Sequence, residues 1–429
     1  MRAPPRPSDG ALALRSRSSG VRRGVHNPGA MSRASLIAWA SAAGLALVLP
    51  ATAPAAKRAS STPVPHGFVG MVVDEPVWPD PFVNLGQQLS VMVASGVETV
   101  RVVFDWSTTQ PYKSWSQVPS TERSQFVNVG GVPTNFTTID QLVGLASQRG
   151  LTVLPTILGA PSWDGQTYPG GLVALPRSDA PFAAFVKALV RRYGPHGSFW
   201  SGYPYAPKVP IQMWQIWNEP NVPAFWPQQP YYSRYIALLR AAHAAVKGAD
   251  PTAKVVLAGL PNYSWVELAR LYGYRGARNL FDVVAVHPYT KTPQGVITIL
   301  SYVRAVMNQY GDRSKPLIAD EISWPSSQGQ TMHNTGYDFA TTEAGQARNV
   351  GELMPMLVKQ RLRLGLAGFY YYDWAGRERP GALAFDFSGL FHLDGGSFEP
   401  KPAYAVFKRD ALAMEGCSAK GAQAYVCEK

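Results

Sequence analysis

Past residue 60 the chain alternates short β-branched runs with longer stretches of helical periodicity, and it does so eight times. The runs lie around 67–73, 99–104, 152–157, 212–217, 254–258, 283–286, 316–319 and 368–372. Those reading VVLAG and VVAV are apolar on both faces, as strands enclosed between a core and outer helices must be. Alternation of this kind predicts a parallel sheet with its helices outside. Eight units in 429 residues predict an α/β chain folded as one (β/α)₈ or TIM barrel, a fold that needs ~250 residues and tolerates insertions.

The intervening helices are punctuated as expected. SDAPFAAFVKALVRRYG opens on a capping Ser178, carries Pro181 in its first turn, and sets Phe182, Phe185, Val186, Leu189 and Val190 on one face before Gly194. YYSRYIALLRAAHAAVKGADP repeats the scheme, with Gly248 and Pro251 at its end; its His243 reads as a packed or solvated side chain. The helix PAYAVFKRDALAM closes the barrel. No repeat or second domain is visible.

The formal charge of +12 raises a nucleic-acid or membrane reading, but its distribution excludes a basic stripe. Residues 1–58 hold nine Lys and Arg against the single acid Asp9, which leaves about +4 on residues 59–429. From Met31 the leader has one Arg, an apolar run over Leu36–Leu49, and small residues near Ala53 and Ala55. That is the three-part pattern of a secretory signal peptide. The expected organisation is an N-terminal extension over 1–30, a signal peptide over 31–56, the barrel over 57–412, and a tail over 413–429. The destination is extracellular or periplasmic, with no nucleic acid and no stable membrane partner unless the signal stays uncleaved. In an exported chain the close pair Cys417 and Cys427 predicts a disulfide clasping the tail.

Segments following strands are long, notably 105–138, 159–177, 220–231 and 322–341, whereas most segments leading into strands are short. Barrel active sites lie where strands end and long loops gather. Two carboxylates stand at such positions. The fourth strand runs IQMWQIW into Asn218-Glu219-Pro220, and the seventh runs KPLIAD into Glu321-Ile322-Ser323-Trp324. Cleaving a glycosidic bond requires such a pair, one carboxyl to protonate the leaving oxygen and one to attack or to activate water.

The words around these residues decide between chemistry and solvated loop acids. WQIWNEPN resembles the acid/base motif, and IADEISWPSS the nucleophile motif, of the clan A glycoside hydrolases, closest to bacterial family 39 and family 5 (cellulase-like) enzymes, over roughly residues 65–412. The resemblance implies a retaining enzyme with Glu219 as acid/base and Glu321 as nucleophile. It implies that Asn218 bonds the sugar 2-hydroxyl and that Arg101, in TVRVVFDW, keeps the nucleophile ionised. In His287-Pro288-Tyr289, Tyr289 bonds the nucleophile and His287 lines the sugar subsite. Trp374 becomes the platform beneath the reacting ring. The chain departs from the pattern at Asp320, where Thr or Ser is usual; since neighbouring strand residues face opposite ways, only one of Asp320 and Glu321 is expected to face the cavity. Asp105 and Asp373 are either substrate partners or loop caps. Trp106, Trp163, Trp226 and Trp324 fall in the active-face loops, and Trp163 in particular is expected to stack on sugar.

No G-x-S-x-G, H-E-x-x-H, P-loop or G-x-G-x-x-G occurs, and the seven histidines lack ligand spacing, so neither metal nor cofactor is expected. The partner is an oligo- or polysaccharide with β-linkages. The rival readings are a non-catalytic carbohydrate-binding protein on the same barrel and a transglycosidase.

Overall fold

The computed structural model describes residues 64–428, except Glu75, Tyr205 and residues 333–336. The extension and the expected signal peptide lie outside the described residues, all of which belong to one compact unit, Ala59–Lys429.

Eight parallel strands form the barrel: β1 (Val69–Val72), β2 (Thr99–Asp105), β3 (Thr152–Leu158), β4 (Met213–Ile216), β5 (Lys254–Val256), β6 (Val284–Val286), β7 (Leu317–Ile322) and β8 (Leu366–Tyr371). Each pairs with its successor up to β5, and again from β6 through β8, and β8 returns to pair with β1. The ring closes between β5 and β6 through isolated bridges, Val256 to Val283 and Leu260 to Val286. All eight expected strands are present, displaced by up to three residues at their ends. Their side chains are almost wholly buried because core lies on one side and helices on the other.

The helices outside the sheet are α1 (Leu85–Ala94), α2 (Thr137–Ser147), α3 (Asp179–Tyr193), α4 (Tyr232–Ala249), α5 (Ser264–Tyr272), α6 (Pro293–Gln309), α7 (Glu343–Leu364) and α8 (Pro402–Met414). Thr292 and Thr342 cap α6 and α7 by accepting from the backbone N–H groups of Gly295 and Gly345, each at 3.1 Å. Helix α3 buries the five residues expected and adds Tyr193. Ser178 occupies its N-cap position, but the hydroxyl makes no capping bond. Gly248 lies inside the last turn of α4, which Asp250 ends. No described helix is long and apolar enough to cross a membrane.

The end of the barrel opposite the long loops is sealed by charge and by the tail. Cys417 and Cys427 are disulfide-bonded, as expected, across a hairpin of Ala419–Lys420 with Cys427–Glu428. From that hairpin Lys420 reaches Glu98, just before β2, with Nζ 2.9 Å from Oε1. Nearby, Arg304 of α6 is buried and donates to five backbone carbonyls: Leu364 (2.6 Å), Lys315 (2.9 Å), Arg313 (3.3 Å), Asp312 and Gly365 (3.4 Å each). One side chain thus ties α6 to the segments entering β7 and β8. Gly365 ends α7 at φ 58°, and a Cβ there would stand 2.6 Å from the Arg304 guanidinium, so a glycine is required on both counts. Replacing Arg304 by Met takes this donor from the Leu364, Lys315 and Arg313 carbonyls, while those of Asp312 and Gly365 keep a backbone partner; stability should fall by about 2–4 kcal/mol, read from the denaturant midpoint.

Candidate active site

Apart from the buried hydroxyl pair of Thr99 and Tyr370 (3.2 Å), a group of polar side chains gathers in the barrel interior near its loop-bearing end and is organised around Arg101 of β2. Its guanidinium donates from Nε to Gln215 Oε1, from one terminal nitrogen to Glu321 Oε1, and from the other to Asn218 Oδ1, each at 2.8 Å. Burial opposes this charge, but Glu321 and Asp320 hold the group protonated. Gln215, in the middle of β4, accepts from Thr156 Oγ1 at 2.8 Å and donates to Asp320 Oδ2 at 2.6 Å. Because Arg101 must donate to Asn218 through oxygen, the Asn218 amide nitrogen is turned away from it.

Asp320 and Glu321 both reach this centre. Along β7, Ala319 pairs with Phe369 of β8 and Ile322 with Tyr371, so three steps on one strand match two on the other. The bulge inserts one residue and breaks the alternation that would send these carboxylates to opposite faces. Asp320 is fully buried against Gln215 and lies 3.3 Å from Arg101 Nε. Burial works against its charge, yet His287 and Arg101 hold it below the usual carboxylate range. Glu321 accepts from Arg101 at Oε1 and from the Tyr289 hydroxyl at Oε2, both at 2.8 Å. Burial lifts its carboxyl above the ordinary value, while His287 and Arg101 pull it back.

Glu219 arrives by a different route. Trp217 and Glu219 both adopt positive φ, 72° and 42°, a conformation that side chains other than glycine occupy only when the surroundings enforce it. The Glu219 N–H bonds Gly259 O at 3.1 Å, and the Trp217 indole N–H bonds Phe225 O at 3.1 Å. The carboxylate meets His287, whose Nδ1 lies 2.6 Å from Glu219 Oε1 and 3.3 Å from Glu321 Oε2. Its Nε2 stands 3.4 Å from Asp320 Oδ2 without a hydrogen bond. Burial disfavours an imidazolium here, but Glu321 and Asp320 outweigh it and raise the group to about 10. His287 is therefore buried among three carboxylates. Gly259 makes room for it: a Cβ there would sit 2.0 Å from Nε2.

One oxygen of Glu219, one of Glu321 and a nitrogen of His287 lie within 4.8 Å of one another, a set that also has the donor types of a divalent-ion site. Glu343, Glu378 and His392 form a second such set, where Lys401 already pairs with Glu378 at 2.8 Å.

The aromatic residues are arranged differently from expectation. Trp374 is fully buried, donates to Gln88 Oε1 at 2.9 Å and packs on Phe391, so it belongs to the core and not beneath a sugar. Trp106, Trp226 and Trp324 are likewise buried. Trp163 is half-buried, with its indole N–H on Gln110 O at 2.8 Å and its edge against Trp106. The rings beside the carboxylates come from the loops after β7 and β8. Phe339 stacks on Tyr289 with centroids 5.3 Å apart, and Phe385 stands edge-on to Tyr289 (5.2 Å) and to Tyr372 (5.7 Å). Tyr337 contacts both phenylalanines, and its hydroxyl is pushed up by burial and by the Glu219 charge. Asp105 caps the short helix Trp106–Thr109, accepting from Ser107 N–H at 2.6 Å. Asp373 is buried, and desolvation and Asp74 raise it well above the carboxylate range.

No family model matches the sequence, and no curated protein is similar to it. Solved structures are similar to it in fold. A glucosidase from Croceicoccus marinus aligns over 84% of this chain and 70% of its own with a TM-score of 0.59 at 17% identity. A family 39 glycoside hydrolase from Bacteroides cellulosilyticus aligns over 82% of this chain and 64% of its own (TM-score 0.55, 18% identity). A family 51 α-L-arabinofuranosidase, AbfB of Bifidobacterium longum, aligns over 82% and 76% (0.54, 14%). The chain has the barrel fold of these glycoside hydrolases. The resemblance to families 39 and 5 therefore widens, since family 39 is one of several barrels it matches.

Among the residues that sequence reasoning missed, Gln215 left a trace, as a lone polar residue inside an apolar strand. Tyr337, Phe339 and Phe385 left none, because their convergence depends on two loops distant in sequence. A raised His287 means that the folded protein holds this proton more tightly than the unfolded chain, where the group titrates near ~6.5. Its contribution is complete below that pH and is lost as pH climbs through about 10. The melting temperature should drop between pH 7 and 10, and less steeply in His287→Gln; equal slopes would remove the charge from His287.

Proposed function

We propose that this chain is a secreted retaining glycoside hydrolase acting on a β-linked glycan, with Glu219 as acid/base and Glu321 as nucleophile. The observation that carries the reading is the carboxylate pair: an oxygen of each lies within 4.8 Å of the other, and Glu321 is gripped by Arg101 and Tyr289. Retention goes with carboxyl groups ~5–5.5 Å apart, whereas inversion needs ~6.5–9.5 Å to seat a water between them.

In the first step Glu321 attacks the anomeric carbon as the bond to the leaving oxygen breaks, and Glu219 supplies the proton to that oxygen. In the second, Glu219 takes a proton from water, whose oxygen displaces Glu321. The Arg101 and Tyr289 donors fix Glu321, and the Arg101 charge opposes the rise that burial gives its carboxyl. Asn218, its oxygen held by Arg101, directs its amide nitrogen toward the sugar 2-hydroxyl. His287, with Nδ1 2.6 Å from Glu219 Oε1, positions that carboxyl for the transfer to the leaving oxygen. Export rests on the leader sequence and would give a mature chain beginning near residue 57.

The test is hydrolysis of a panel of aryl β-glycosides and polysaccharides by the parent, Glu219→Gln and Glu321→Gln. Both variants should lose ~10³-fold or more in kcat with melting temperatures near the parent's. Product anomers followed by NMR should retain configuration, and inversion would overturn the covalent step alone. A chelator should leave the rate unchanged; its loss on chelation would assign Glu219, His287 and Glu321 to a metal. A parent that binds glycans and cleaves none would favour the carbohydrate-binding reading.

A further inference from the structure

A cavity of about 730 Å³ opens on the loop-bearing end of the barrel, beside the carboxylate pair and not over it. Its walls come from the loop after β1, the ends of β2 and β3, the start of α2, and the loops after β3 and β4. Tyr372, at the end of β8, is the wall it shares with the catalytic centre. Tyr372 lines the cavity, contacts Phe385 of the aromatic group, and lies within the field of Glu321. Asp74, also in the wall, acts on the Arg101 charge.

Away from that junction the wall changes character. Val103, Ile139, Leu158, Leu172, Val173 and Phe225 present hydrocarbon. Four of the polar residues among them are committed to their own turns, and the Trp78 indole N–H is a buried donor without a partner among the described residues. The hydroxyls of Thr108 and Thr109 donate to Asp105 O (3.2 and 2.7 Å), the Asp105 carboxylate caps the helix that follows, and Asn135 Oδ1 accepts from Thr137 N–H at 3.0 Å. A sugar ring brought here would find few groups to bond its hydroxyls, and desolvating a hydroxyl without a partner is costly. An alkyl chain would lose nothing. Leu172, at 70% exposed, leaves a large apolar side chain in water at the rim, a position that a bound hydrocarbon would cover.

We propose that this cavity receives an aliphatic group attached to the substrate, so that the enzyme acts on amphiphilic glycosides, with the sugar at the carboxylates and the chain lying past Tyr372. This rests on the glycoside hydrolase reading above for catalysis, but not for binding. Each methylene buried should add about fourfold to kcat/KM, the equivalent of ~0.8 kcal/mol.

The experiment compares methyl, butyl, hexyl and octyl β-glycosides of glucose, galactose, mannose and xylose, by rate with the parent and by calorimetric binding to Glu219→Gln. Leu172→Asp and Phe225→Ser, which alter the far wall and leave the carboxylates alone, are measured beside them. Rates and affinities should climb with chain length, and both wall variants should flatten the climb by tenfold or more at octyl while leaving the methyl glycoside unchanged. An affinity that does not rise with chain length, or that rises equally in the wall variants, overturns the proposal. If affinity climbs and no glycoside is cleaved, the hydrolase reading fails and the cavity assignment stands.

Discussion

A guanidinium enclosed in the middle of a barrel determines the order around it. Arg101 is 2% exposed, and all three of its nitrogens are bonded within the barrel, so its charge has been taken from water and must be answered by protein. Asp320 and Glu321 supply the negative charge, and Gln215 and Asn218 the neutral acceptors. Both acids can serve because β7 bulges between Ala319 and Ile322. A lysine would neutralise the same charge but lacks the planar fork that holds three partners, two from β4 and its end and one from β7, at fixed angles.

The second constraint is the imidazole of His287, which joins the two halves of the site. Glu219 and Glu321 are far apart in sequence, and like charges brought this close repel. A cation between them makes the arrangement tolerable at neutral pH and couples the proton affinity of one carboxyl to the charge on the other. The space for that ring exists only because residue 259 has no side chain. The strained backbone at Trp217 and Glu219 is sustained by the same neighbourhood, through the Gly259 carbonyl.

The aromatic residues divide by what their polar atoms need. Trp163, Trp217, Trp324 and Trp374 each place the indole N–H on a nearby oxygen and then serve as packing for the loops. The smaller rings of Tyr337, Phe339 and Phe385 border the carboxylates. Each of the four indole rings thereby ties together the segments it bridges.

The strand order, the two glutamates at strand ends, the arginine of β2 and the clasped tail were legible from local pattern, because each depends on periodicity or on position at the end of an element. The platform expected of Trp374 was misjudged and the second acid of β7 was set aside, because both judgements assumed regular strands and outward-facing loops. By itself the sequence determined that eight apolar runs alternate with helices, as in a parallel sheet with its helices outside, and that Glu219 and Glu321 stand at the ends of two of them, since periodicity and position along an element are local properties. Only the tertiary structure decided that Asp320 also turns inward, that His287 bridges the carboxylates, and which rings surround them. Those outcomes depend on a one-residue bulge, a missing Cβ and the meeting of distant loops, and each is a matter of ångströms that residue type does not encode.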